Sequence, residues 1–376
     1  MNNWRTVCHW GPLIAISVIL AITSSTIYCS LLWWPIHTQG GIINLTLFLS
    51  WVVATFYNFF RAIHLGPGYV PEGWRPRKKS NEKFLQYCKI CLSFKVPRSH
   101  HCRRCNRCVM KMDHHCPWIN GCVGHFNHKN FTLFLFFAPC GCIQSTFILI
   151  AYFIHFIRTG GVAYYINNDD YFNVFGVIFA MVTVGLSIGV ILAVGMLLYI
   201  QLKSIIRNET GVENWIRDKA NYRRSKDEKW LYPYHLGYWR NILEVCNGCS
   251  EPKGDGIVWT VREGCNQYTM TIEQLEQKLE KRDRTVSYVA VRKYNGSFIA
   301  WRHGIRVCCS LPINDDPRIS ISVGDKIMIT RATKRWLYGN KVLDKSTDAE
   351  GREIRVRGWF PRHCAEREED TMKKNE

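Results

Sequence analysis

Acidic side chains are scarce in this 376-residue chain: 30 Asp and Glu stand against 49 Lys and Arg, a formal net charge of +19. Charge of either sign is missing altogether from residues 13–35, 42–60, 131–157 and 172–200, none of which holds Lys, Arg, Asp or Glu. A bilayer core calls for about 20 consecutive apolar residues, so these gaps in charge exclude a plain soluble globule and a disordered chain. Runs of that kind are lacking beyond residue 200, which excludes a protein wholly buried in the membrane. Aromatic residues crowd the ends of the runs (Trp33, Trp34, Tyr57, Phe59, Phe60, Tyr152, Phe153), where rings sit at headgroup level. The reading is an α-helical membrane protein with four transmembrane helices. No signal-peptide cleavage site follows the first run, so that span is expected to be retained.

Basic residues set the expected orientation. Residues 64–129 carry 13 Lys and Arg against 3 Asp and Glu, while the two short connections hold a single basic residue, Arg158. By the positive-inside rule this loop and both termini face the cytosol. The positive charge is thus placed beside an anionic leaflet, where each Lys or Arg gains about 1 kcal/mol. Membrane lipid, and no nucleic acid, is the partner it implies. Asn44, Asn208 and Asn295 begin Asn-x-Ser/Thr triplets but fall in a span or in cytosol, so they are expected to be unglycosylated.

Seven of the 17 cysteines lie between Cys88 and Cys122. Cytosolic thiols stay reduced, which favours metal binding or catalysis over disulfides. Cys88-x2-Cys91, His101-Cys102-x2-Cys105-x2-Cys108, then Asp113-His114-His115-Cys116 and Cys122 have zinc-ligand spacing. Two tetrahedral sites need eight donors, and six cysteines with His101 and His115 supply them. Cys116 is left over. A spare cysteine beside His114 and Asp113 has the makings of a nucleophile, since a neighbouring histidine favours the thiolate and a carboxylate orients the imidazole.

From Cys88 to Asn127 and Phe131 this pattern resembles the DHHC protein S-acyltransferases (palmitoyltransferases). Flanking segments resemble further family motifs: Leu65-Gly66-Pro67-Gly68 has Gly66 in place of the usual Asp, and Thr210-Gly211-Val212-Glu213 has Gly211 in place of a second Thr. Both departures are expected to weaken hydrogen bonding at helix ends. The stretch from Tyr232 through Asn241 resembles a C-terminal segment that packs back on the core. The resemblance implies interleaved structural zinc sites, Cys88, Cys91, His101 and Cys108 holding one ion and Cys102, Cys105, His115 and Cys122 the other. It implies that His114 is the general base, oriented by Asp113, and that Cys116 takes an acyl group from palmitoyl-CoA and passes it to membrane-proximal cysteines of protein substrates. Lys95 and Arg98 are candidates for pairing with the CoA phosphates, and Trp118 for packing against the catalytic hairpin.

After residue 250 short alternating strands are expected at 287–291, 305–309, 319–322, 326–330 and 358–360. Val323-Gly-Asp-Lys-Ile-Met-Ile, Trp336-Leu-Tyr-Gly and Gly358-Trp-Phe-Pro361 resemble a Src-homology-3 (SH3) barrel, with Trp336 as its binding-face aromatic and a Pro-rich accessory protein as the implied partner. Cys308, Cys309 and Cys364 are open candidates for acylation or plain packing. Lys373 and Lys374, near the end of the sequence, resemble a dilysine signal of endoplasmic-reticulum membrane proteins. Spans, SH3-like tail and ending together resemble a member of the family that resides there, multi-pass, with both termini cytosolic. The expected organisation is 1–63 and 131–202 for the membrane helices, 64–130 for the zinc domain, 203–250 for the juxtamembrane segment, 285–366 for the SH3-like barrel and 367–376 for the tail. Rival readings are a membrane-tethered zinc module, in which Cys116 is one more ligand, a transporter with a regulatory zinc loop, and a family member that has lost activity. The uncharged spans argue against the transporter.

Overall fold

The computed structural model describes residues 6–160, 171–225, 228, 230–248, 252–314, 316–347 and 353–368. Lys373 and Lys374 lie outside them. The chain divides into two compact units, Met1–Leu275 and Glu276–Glu376.

Four long helices dominate the first unit: α1 (Trp10–Trp33), α2 (Gln39–Leu65), α3 (His128–Arg158) and α4 (Tyr171–Arg207). They coincide with the four uncharged runs, and each is long and apolar enough to cross a membrane. Even the 24 residues of α1 span about 36 Å at 1.5 Å per residue. α3 packs against the other three. Some polar side chains inside the bundle pair across helices, a solution favoured where water is absent. Thr26 and Ser145 share a hydrogen bond of 2.6 Å between α1 and α3, and Gln144 donates to the Asn44 side chain at 2.9 Å.

α2 ends at Gly66, whose φ of 64° and ψ of 178° define a region that only glycine occupies without strain. The departure expected to weaken this helix end is therefore the residue its backbone requires. Three small hairpins follow, β1–β2 (Tyr87–Cys88, Ser93–Phe94), β3–β4 (His100–Cys102, Arg107–Val109) and β5–β6 (His114–Cys116, Gly121–Val123). Beyond α4 come α5 (Gly211–Tyr222), α6 (Tyr238–Val245) and α7 (Thr269–Asp283). Thr210 caps α5 in a complete capping box with Glu213, so glycine at 211 has not loosened that helix end either. Asn241 ties the polar segment back: it donates to the Ile206 carbonyl at the end of α4 and accepts from the Leu236 N–H.

The second unit is built on an antiparallel five-stranded sheet of order β12-β11-β10-β7-β13, formed by β7 (Val286–Ala290), β10 (Lys326–Ala332), β11 (Trp336–Thr347), β12 (Glu353–Pro361) and β13 (Ala365–Arg367). A small ladder joins β8 (Tyr294–Asn295) to β9 (Ser320–Ile321). Two expectations are corrected here. Residues 305–308 form a single helical turn, α8 (Ile305–Cys308), instead of a strand: Val307 points into the core while Ile305 is exposed, so the apparent alternation was one inward residue in a turn. Trp336 is wholly buried and donates from its ring nitrogen to the Val307 carbonyl at 3.2 Å. It is a core residue and offers no binding face.

Candidate active site

The three hairpins are one unit repeated. Residues paired across them are Cys88 with Ser93, Cys102 with Arg107 and Cys116 with Gly121, each set fourteen residues after the last. Leu92, Asn106 and Asn120 turn them in the left-handed region, again at intervals of fourteen. The same period of fourteen runs through the sequence as Cys88, Cys102 and Cys116. It explains why Cys116 is spare. Cys116 takes the place that Cys88 and Cys102 hold in their hairpins, but the second cysteine of those hairpins, Cys91 or Cys105, is replaced by Ile119.

Donors gather in two clusters, Cys88, Cys91, His101 and Cys108, and Cys102, Cys105, His115 and Cys122. His101 Nδ1 lies 3.5, 3.3 and 3.9 Å from its three sulfurs, and His115 Nδ1 lies 3.6, 3.4 and 3.7 Å from its own. A tetrahedral ion with metal–sulfur distances of about 2.3 Å and metal–nitrogen distances of about 2.0–2.1 Å sets sulfur and nitrogen roughly 3.5–3.6 Å apart. The donor sets therefore fit zinc. Cys116 belongs to neither.

The buried Cys116 side chain joins an apolar cluster with Phe59, Ile63, Ile119, Phe131 and Leu135, from the hairpin and from helices α2 and α3. The turn after it, Pro117–Ile119, is seated on the start of α1. A Cβ on Gly11 would fall 1.9 Å from the Pro117 carbonyl oxygen, so only glycine admits this contact. Trp118 leans edge-on against Trp10, with ring centroids 6.0 Å apart.

His114 stands over the thiol. Its Nδ1 is 2.7 Å from Asp113 Oδ2. Burial alone would lower its pKa, but Asp113 and Cys116 outweigh that and push it up to about 9. The ring therefore accepts a proton readily. Burial would raise the Asp113 carboxyl, yet hydrogen bonds from His114 and from the Gly211 N–H (2.7 Å) hold it well below the ordinary carboxylate range. Gln201 donates to the same carboxylate at 3.1 Å, and His128 holds Gln201 at 2.8 Å.

Arg98 does not face the CoA phosphates expected of it. Its side chain is fully buried, forked onto Glu213 at 2.6 and 2.8 Å and donating to the Asn208 carbonyl at 2.7 Å. The guanidinium also stacks on Tyr234 and Trp259, 4.3 and 4.6 Å from their ring centres. Glu213 is the N3 residue of the α5 cap, so Arg98 locks the cysteine-rich loop to the helix start whose N–H holds Asp113. Nearby Lys111 is buried, and burial with the charge of Arg98 brings its pKa down to about 7. Lys95 remains half-buried on the loop.

One space adjoins the base, and a second lies within the helix bundle. A cleft of about 490 Å³ is lined by Asp113, His114 and the C-terminal end of α4, with Lys203 and Arg207 on its wall. Within the bundle an apolar cavity is lined by Ile19, Ile22, Phe48, Ala138 and Cys142 among others. Ile19 and Ala138 line that cavity and also pack on the apolar cluster that includes Cys116.

The family model described as DHHC palmitoyltransferase matches residues 81–218. The chain is 44% identical over 385 residues to "Palmitoyltransferase ZDHHC6" of Mus musculus and of Danio rerio, an alignment covering 98% of this chain and 93% of each relative. It is 30% identical over 311 residues to "Palmitoyltransferase PFA4" of Mycosarcoma maydis, covering 69% of this chain and 63% of that one.

Proposed function

Because this chain belongs to the DHHC palmitoyltransferases and is a protein S-acyltransferase, we propose that Cys116 is its nucleophile, His114 its general base and Asp113 the residue that orients that base. The observation that carries this reading is the 2.7 Å pairing of His114 with a buried Asp113 beside a cysteine that neither metal cluster claims. In the first half-reaction His114 takes the Cys116 proton and the sulfur attacks the thioester carbonyl of palmitoyl-CoA. The carbon–sulfur bond to CoA breaks, and CoA leaves as a thiol with the proton returned by His114. In the second half-reaction His114 takes the proton of a substrate cysteine, whose sulfur attacks the acyl carbonyl; the bond to Cys116 breaks, and His114 returns the proton to the Cys116 sulfur. The apolar surroundings of Cys116 keep water from the intermediate thioester.

Zinc in the two clusters would be structural, four protein donors leaving no open position; its role is to fold the hairpins. The acyl chain would lie in the apolar cavity between the helices. Lys203 and Arg207, at the cleft beside His114, are better placed for the CoA phosphates than Arg98, with Lys95 retained as a further candidate. The basic 64–129 loop supports a cytosolic site on a multi-pass membrane protein; the membrane proposed is that of the endoplasmic reticulum. Strand order β13-β7-β10-β11-β12 supports an SH3-like barrel in the second unit. With Trp336 in its core, nothing on that strand favours a Pro-rich partner.

The test is to label purified protein with a palmitoyl-CoA analogue and compare wild type with Cys116→Ser for hydroxylamine-labile label and zinc content. Loss of label with zinc unchanged is expected. Loss of both would make Cys116 a metal ligand and return the tethered zinc module.

A further inference from the structure

The second unit holds a donor cluster of its own. His303, His363 and Cys364 bring their ligand atoms within 4.8 Å of one another. His303 ends a short turn, Trp301–His303, and the other two lie in the turn Arg362–Cys364 between β12 and β13. His303 Nδ1 is 3.0 Å from His363 Nε2 and 3.4 Å from Cys364 Sγ. In a neutral imidazole a ring nitrogen has either one proton or one lone pair, yet this one faces two donor atoms at once. The same crowding recurs in the two zinc-spaced clusters, where a histidine Nδ1 faces sulfurs at 3.3–3.9 Å. A shared cation satisfies all three atoms together.

The positions are held before any ion arrives. The Cys364 carbonyl accepts from the Val291 and Arg292 N–H groups at 2.9 and 3.2 Å. Cys364 itself is fully buried in the sheet core, and the His303 ring packs edge-on against Tyr294 at 5.3 Å. His363 lies on the exposed side.

We propose that His303 Nδ1, His363 Nε2 and Cys364 Sγ form a third metal site, specific for a borderline-soft divalent cation such as zinc, with its fourth position open to solvent. Two imidazoles and one thiolate are the donor types such ions select. With three protein donors and water, the site would exchange more freely than the closed clusters of the hairpins. It would also pin the turn before α8 to the β12–β13 corner.

The experiment uses the full chain in detergent, saturated with zinc, desalted and assayed for zinc per chain. His363→Ala, at an exposed position, and His303→Ala are each expected to carry one zinc fewer than wild type while Cys116 labelling stays unchanged. Cobalt loading gives a second readout: the His2Cys contribution to the visible bands should vanish in both variants. Equal zinc content in wild type and both variants, with identical cobalt spectra, would overturn the site. Because the comparison is a difference of one ion, a shortfall in the hairpin clusters would lower all three proteins alike and leave the result readable.

Discussion

Arg98 shows how much a single residue's surroundings decide. As a solvated loop cation it would serve phosphates; as a buried fork on Glu213 it positions Asp113 through the start of α5. Arg98→Met is expected to leave Glu213 buried without its partner, at about 3–5 kcal/mol, and to abolish acyl labelling. Lysine should not rescue it, since it lacks the planar fork. Thermal melts and acyl-CoA titrations check this: unchanged stability with weakened acyl-CoA affinity would restore the phosphate role. Lys111 makes the opposite case. Its pKa falls from an ordinary 10.5 to about 7, so between those values the unfolded chain binds more protons and stability rises with pH. Below pH 7 the penalty is complete. Lys111→Met should remove this slope and gain on the order of 1–4 kcal/mol at neutral pH, read as melting temperature across pH 7–10.5 with zinc present.

Among elements, the hairpins were the most legible because their chemistry is local. Ligand spacing, the spare thiol and its neighbours all fall between Cys88 and Cys122, and four uncharged runs announced four helices. Legibility failed where a side chain's partner is distant. Glu213 lies 115 residues from Arg98, and a buried arginine is spelled the same as a solvated one. Trp336 failed likewise: an aromatic in a strand reads equally as groove or core until its neighbours are known. Trp336→Ala should therefore cost about 3–5 kcal/mol of stability in the second unit, seen as a lowered unfolding transition, and not the selective loss of a Pro-rich ligand. In the bundle, Cys142 lines the cavity about one turn beyond Ala138. Cys142→Phe is expected to fill it and shift the donor preference toward shorter acyl chains, measured by competition between acyl-CoAs of different length.

At the scale of the whole molecule, activity should extend past the family match. A chain ending at residue 225 keeps every residue matched at 81–218 but loses Tyr232, Tyr234 and Trp259, which enclose Arg98. It should label poorly. A chain ending at residue 284 keeps that enclosure and should label as the full protein does; equal labelling of both truncations would show that the enclosure does not matter.

The span of that same ion pair also bears on how the protein is made. Arg98 leaves the ribosome 115 residues before Glu213, roughly 6 to 23 s at about 5–20 residues per second. Until then the third and fourth helices are still being inserted and the N–H that steadies Asp113 does not exist. The site is thus incomplete until Glu213 and the segment that encloses Arg98 have emerged, by which time all four helices of the bundle have been made.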